Sequence, residues 1–221
     1  MAGLVFRAAE SNSISRLEEA IRAGGDINET QPSGETPLHA AACNRDGDQI
    51  AQALIGARAD VDAVGPMNQT PLHVAAREGS LAVARLLVDA GADLEAQTTH
   101  GYDVMNGQGY HHPIDCTRGM HYVSFTTGTY PPPLFPFGAL RLVCSCPPLH
   151  LAVHTGALAV VNLLLDAGAS ANSAAGNGNV ALHFACMMGR RQIVERLLAS
   201  GADAKALNHG KVRRFVGMSG E

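Results

Sequence analysis

The sequence has no tryptophan, and only 5% of its 221 residues are aromatic. A large aromatic core is therefore excluded, and the interior must come from close packing of small side chains. An excess of one charge is also missing. Sixteen Lys and Arg stand against twenty Asp and Glu, with no basic tract, so bulk attraction to nucleic acid is not indicated. No apolar run approaches the ~20 residues that span a bilayer, which argues against a membrane protein. The N-terminus MAGLVFRAAESN lacks the basic region, apolar stretch and cleavage site of a secretory signal. Five unevenly placed cysteines make no disulfide framework, which points to a reducing location, cytoplasmic or nuclear. The arrangements G-x-G-x-x-G, G-x-S-x-G and G-x-x-x-x-G-K-[ST] are absent, and GNGNVALH at Gly176 reads as a hairpin tip rather than a phosphate loop. No catalytic residue and no cofactor is expected.

What the chain does have is repetition. TPLHAAA at Thr36, TPLHVAAREG at Thr70, PPLHLAVHTG at Pro147 and VALHFACMMG at Val180 are versions of one segment. Their leucines, Leu38, Leu72, Leu149 and Leu182, are spaced by 34, 77 and 33 residues, so the middle interval exceeds one period by 44. A second series keeps the same phase. GARADVDA ends at Ala63, DAGADLEA at Ala96, DAGASANS at Ser173 and ASGADAKA at Ala206. Residues 4–29 are an earlier, degenerate copy.

Each unit predicts two short helices. Thr36 and Thr70 are placed to cap the first, with Pro37 and Pro71 at its first position, where a missing N–H costs nothing. Leu, Ala and Ala then give a narrow apolar face, and Gly79, Gly156 and Gly189 end the helix. A second helix follows, such as LAVARLLVDA with Val83, Leu86 and Leu87 at core spacing. Gly91, Gly168 and Gly201 supply a left-handed residue after it. Arg58 stands at that position in the second unit, which also carries an extra residue within CNRDGDQ, and Val180-Ala181 replaces Thr-Pro in the last. A unit of this size cannot bury its own face and must stack on neighbours.

These motifs closely resemble the ankyrin repeat. The resemblance covers most of the chain and implies an all-α solenoid of stacked helix-turn-helix units with projecting hairpin loops, here interrupted by one long irregular insertion. It implies that His39, His73, His150 and His183 link neighbouring hairpins by hydrogen bonds rather than form a catalytic site. It also implies a protein-binding role through a concave surface of hairpin tips and first helices. Carried over by position, the contact residues are Ser33, Glu35 and Asn44, then Met67, Gln69, Arg77 and Glu78. His100, His154 and Thr155 follow, and then Asn177, Asn179, Met187 and Met188. The expected partner is an unidentified protein, bound by a monomer. The alternatives are an N-terminal regulatory or targeting fragment of a larger enzyme and a non-functional mis-spliced or mispredicted product.

The organisation read from the sequence is repeats over 1–102, an insertion over 103–147, repeats over 148–210 and a disordered tail over 211–221. The insertion has no sustained period and carries the Pro131–Pro133 run, so it is expected to loop out from the repeat edge. Three readings stand for it: a functional loop, a passive insertion, or translated intron. Codons for Gly101-Tyr102-Asp103 can hold a splice-donor-like GTATGA, and codons for Cys144-Ser145 an acceptor-like TGCAG. Excision there removes 44 codons and leaves TTHG-CPPLHLAVHTG. The stretch TYPPPLFPFGALRLV needs pyrimidine-rich codons, as an acceptor does. His111, His112, Cys116, His121, Cys144 and Cys146 have zinc-ligand chemistry, but no rigid frame is predicted around them, and no metal site is expected. Leu197 and Leu198 are expected to lie uncovered at the lower end of the stack.

Overall fold

A computed structural model describes residues 3–98, 145–176 and 178–208. Among these residues the chain forms ten α-helices, one short 3-10 turn (Pro66–Asn68) and an isolated antiparallel bridge between Ala174 and Val180. The helices come in pairs, one pair per repeat: α1 (Leu4–Glu10) with α2 (Ile14–Arg22), α3 (Pro37–Cys43) with α4 (Asp48–Gly56), and α5 (Pro71–Glu78) with α6 (Leu81–Asp89). After the insertion come α7 (Pro148–Thr155) with α8 (Leu158–Asp166), and α9 (Ala181–Met187) with α10 (Arg191–Ala199). First helices pack in the order α1, α3, α5, α7, α9, and second helices in the order α2, α4, α6, α8, α10. The fold is therefore a two-layer solenoid, and the layers run on from α5 to α7 and from α6 to α8 across the insertion.

The core follows from the repeat pattern. Ala41, Ala75, Ala152 and Ala185 occupy one register of the first helices and are fully buried, which lets backbones approach closely. Leu54, Leu87, Leu164 and Leu197 occupy one register of the second helices and are also fully buried. Leu197 thus departs from the expectation of an uncovered end. Its register points toward its own repeat and the preceding one, so its burial needs no repeat below. Leu198 is half-buried, like its counterparts Ile55, Val88 and Leu165.

Helix termini behave as their residues dictate. Gly79, Gly156 and Gly189 end the first helices with φ of 71°, 80° and 65°. The second-helix turns use Gly91, Gly168 and Gly201 at φ of 86°, 98° and 83°, and Arg58 takes the same left-handed conformation at 67°. The extra residue of the second repeat gives α3 a different exit, through Asn44 in extended conformation. Gly47 follows, where a Cβ would stand 2.2 Å from the Ala41 carbonyl oxygen. The degenerate first repeat has its own device. The Glu29 carboxylate accepts the amides of Gly3 (2.7 Å) and Phe6 (2.6 Å), capping α1 from outside the helix.

Two hydrogen-bond ladders link successive repeats. In the loops after the second helices, Asp60 accepts from the Asp62 amide, and Asp62 accepts from the Asp93 amide of the next repeat. Asp93 accepts from Glu95, and Glu95 accepts from the Ser170 amide (2.7 Å) beyond the insertion. Asn172 then accepts from Asp203. The second ladder is made by the histidines.

Candidate functional site

His39, His73 and His183 each accept the amide of the residue that caps their helix, from Thr36, Thr70 and Val180 to Nδ1 at 3.2, 3.1 and 3.1 Å. In the first two the opposite nitrogen, Nε2, donates to the next repeat: His39 to the Gln69 carbonyl at 2.9 Å and His73 to the Cys146 carbonyl at 3.0 Å. His150 does the same to Asn179 at 3.2 Å. The carbonyl can only accept, so these rings carry their proton on Nε2. Burial is the main cause that lowers the pKa of His39, and it brings those of His73 and His150 down to about 4. His39, His73 and His150 are neutral struts between repeats, as the resemblance implies.

His150 differs in one respect. Its cap residue is Pro147, which has neither an amide hydrogen nor a hydroxyl, and its buried Nδ1 has no hydrogen-bond partner.

The contact residues carried over from the resemblance separate into kinds. Glu35 and Gln69 are buried, with 8% and 6% exposure, because they form the second stem of a hairpin clamped between repeats. Glu35 accepts from the Ser33 hydroxyl at 2.9 Å, and Gln69 accepts from Arg77 Nη1 at 3.1 Å. Neither side chain stands out into solvent as a contact residue. Asn44 and Thr155 are half-buried and bonded to backbone, Asn44 to the Ala40 carbonyl and Thr155 to that of Leu151. Asn179 is half-buried and accepts from the Asn208 amide group at 2.9 Å.

Arg77 and Glu78 form an ion pair at 2.9 Å with 18% and 17% of their side chains exposed, at the C-terminal end of α5 in the middle repeat. Together with Gln69 they join a first helix to its hairpin. Met67, His154, Met187 and Met188 are half-buried, Met67 with φ of 57° at its hairpin tip. The His154 pKa is lowered by burial and, second, by the charge of Arg190. Arg190, which no sequence motif marks, lies beside Gly156 and donates to the Thr155 carbonyl at 3.4 Å. The only signal for it was a long cation following Gly189, where Ser80 and Ala157 stand after Gly79 and Gly156 in other repeats. His100 and Asn177 lie outside the described residues.

Of the six residues with zinc-ligand chemistry, His111, His112, Cys116, His121 and Cys144 lie outside the described residues. Cys146 is buried in the repeat stack, and among the described residues no group of three His, Cys, Asp or Glu is placed to hold a metal ion. By sequence, Ser145 and Cys146 fall at the end of the insertion. In the structure the Cys146 amide donates to Thr98 Oγ1 at 3.0 Å, and Ser145 Oγ to Gln97 Oε1 at 2.7 Å, so both belong to the hairpin edge of the array. No described helix is long and apolar enough to cross a membrane.

A family model described as ankyrin repeats, three copies, matches residues 5–98 and 138–208. Comparison with curated proteins gave no match.

Proposed function

The chain belongs to the ankyrin repeat family, and from that premise we propose that it is a scaffold binding a protein partner across its hairpin tips and first helices. Repeats of this family generally serve as protein-interaction modules. The observation that carries the reading is a contrast between positions of the four full repeats. The buried fourth residue of the motif is His39, His73, His150 and His183, and the buried sixth is Ala41, Ala75, Ala152 and Ala185. The half-buried eighth is Cys43, Arg77, His154 and Met187, and the ninth is Asn44, Glu78, Thr155 and Met188. Constant residues build the stack, while four different chemistries stand where a partner would meet them.

In this reading the surface is concave and the chain works as a monomer in the cytoplasm or nucleus, binding neither nucleic acid nor membrane. It acts by holding a partner rather than by catalysis. Arg77 and Glu78 take the centre, and Met187 and Met188 add adaptable apolar area. Once a partner is identified by affinity capture, Arg77→Ala with Glu78→Ala, or Met187→Ala with Met188→Ala, should weaken binding by ~1 kcal/mol or more. Arg85→Ala, on the exposed side of α6, should be nearly neutral. Loss of binding on changing Arg85 but not the other two pairs would contradict the reading.

A further inference from the structure

Three hairpin tips follow one pattern. Each spans five residues, and the amide of the first donates to the carbonyl of the fifth: Gln31 to Glu35 at 2.9 Å, Gly65 to Gln69 at 2.8 Å, and Ala175 to Asn179 at 2.8 Å. The fourth residue has positive φ every time, 93° at Gly34, 58° at Asn68 and 76° at Gly178. In two of them the amide of that residue also returns to the first carbonyl, Gly34 to Gln31 and Gly178 to Ala175, both at 2.7 Å. The remaining hairpin keeps the stem rule. The Thr98 amide donates to the Cys146 carbonyl at 3.4 Å, with 47 residues between them where the others have three. The neighbouring repeats register on this stem as on the rest: His73 bonds Cys146 as His39 bonds Gln69.

We infer that Tyr102–Ser145 are a removable cassette lodged in an otherwise complete hairpin, Ser145 holding beside Cys146 the place that Gly101 takes once the cassette is gone, and that the chain without them is a second, continuous form of the same array. Excision leaves Thr98-Thr99-His100-Gly101-Cys146, five residues with glycine fourth, where left-handed backbone is required. Contiguous excisions that leave three residues between Thr98 and Cys146 can end that trio in Gly101 or in Ser145, and only the cut after Gly101 puts glycine there. The shortened chain also places His100 third in its tip, the position held by Ser33, Met67 and Asn177 in the other three. The stem geometry carries this inference, whatever partner the array binds.

The test compares thermal unfolding of the full chain and of a chain lacking 102–145, each with and without Gly101→Val. The deletion should raise the midpoint by about 5 °C, because shortening the closed loop roughly fifteenfold recovers closure entropy. Gly101→Val should lower the midpoint by several degrees in the shortened chain, where a β-branched residue must adopt positive φ, and by less than about 1 °C in the full chain. A midpoint that does not rise on deletion, loss of the cooperative transition, or an equal effect of Gly101→Val in both backgrounds overturns the inference.

Discussion

His73 donates from Nε2 to the carbonyl of Cys146, 3.0 Å away in space and 73 residues away in sequence. The same bond joins His39 to Gln69 over 30 residues and His150 to Asn179 over 29. The ladder therefore treats the insertion as if it were not there, which makes the histidines the natural place to probe the array.

Acid should dismantle that ladder. His73 and His150 are held near pKa 4 by burial, against about 6.5 in an unfolded chain, and His39 is shifted in the same sense. The unfolded chain then binds more protons than the folded one. Stability is whole above about pH 6.5 and falls as pH drops toward 4, by roughly 3 kcal/mol for each of the two strongly shifted rings. The urea midpoint should be flat from pH 8 to 6.5 and decline steeply below. A midpoint at pH 5 equal to that at pH 7 would contradict the neutral-strut account.

Pro147→Thr should stabilise the fourth repeat. It restores an amide to face His150 Nδ1, which has no partner in the native chain. Satisfying a buried acceptor contributes about 1–3 kcal/mol, less the few tenths to 1 kcal/mol lost with proline rigidity. The thermal midpoint should rise by about 2–4 °C. A fall would mean that proline at the cap matters more than the orphaned nitrogen.

Arg58→Gly should also stabilise, by about 1 kcal/mol, because Arg58 holds φ of 67° at a position that glycine fills in the other four repeats. Chemical denaturation is sufficient to see it. No gain would show that the arginine side chain makes up for its backbone strain.

Much of the fold was legible because its signals are local. Thr-Pro marks a helix start, glycine marks each left-handed turn, and a 33-residue phase survives on both sides of the insertion. Even the positive φ of Arg58 followed from alignment of one repeat on the next. What was not legible depends on contacts made at a distance. The Glu29 carboxylate caps α1 only because the first hairpin folds back over it. Glu35 and Gln69 look like polar tip residues until the next hairpin closes over them. Leu197 is buried although it lies near the end of the stack, because its helix register decides what covers it. The orphaned Nδ1 of His150 could have been foreseen, since proline at a cap has no amide to give.

The central claim is that residues on either side of the insertion form one stack, and hydrogen exchange in increasing urea tests it most directly. Amides of α5 and α6 (71–89) and of α7 and α8 (148–166) should converge on one opening free energy and one urea dependence, because the α5–α7 and α6–α8 contacts make them a single cooperative unit. Two separate isotherms, with one side exchanging through its own unfolding while the other stays protected, would contradict the account.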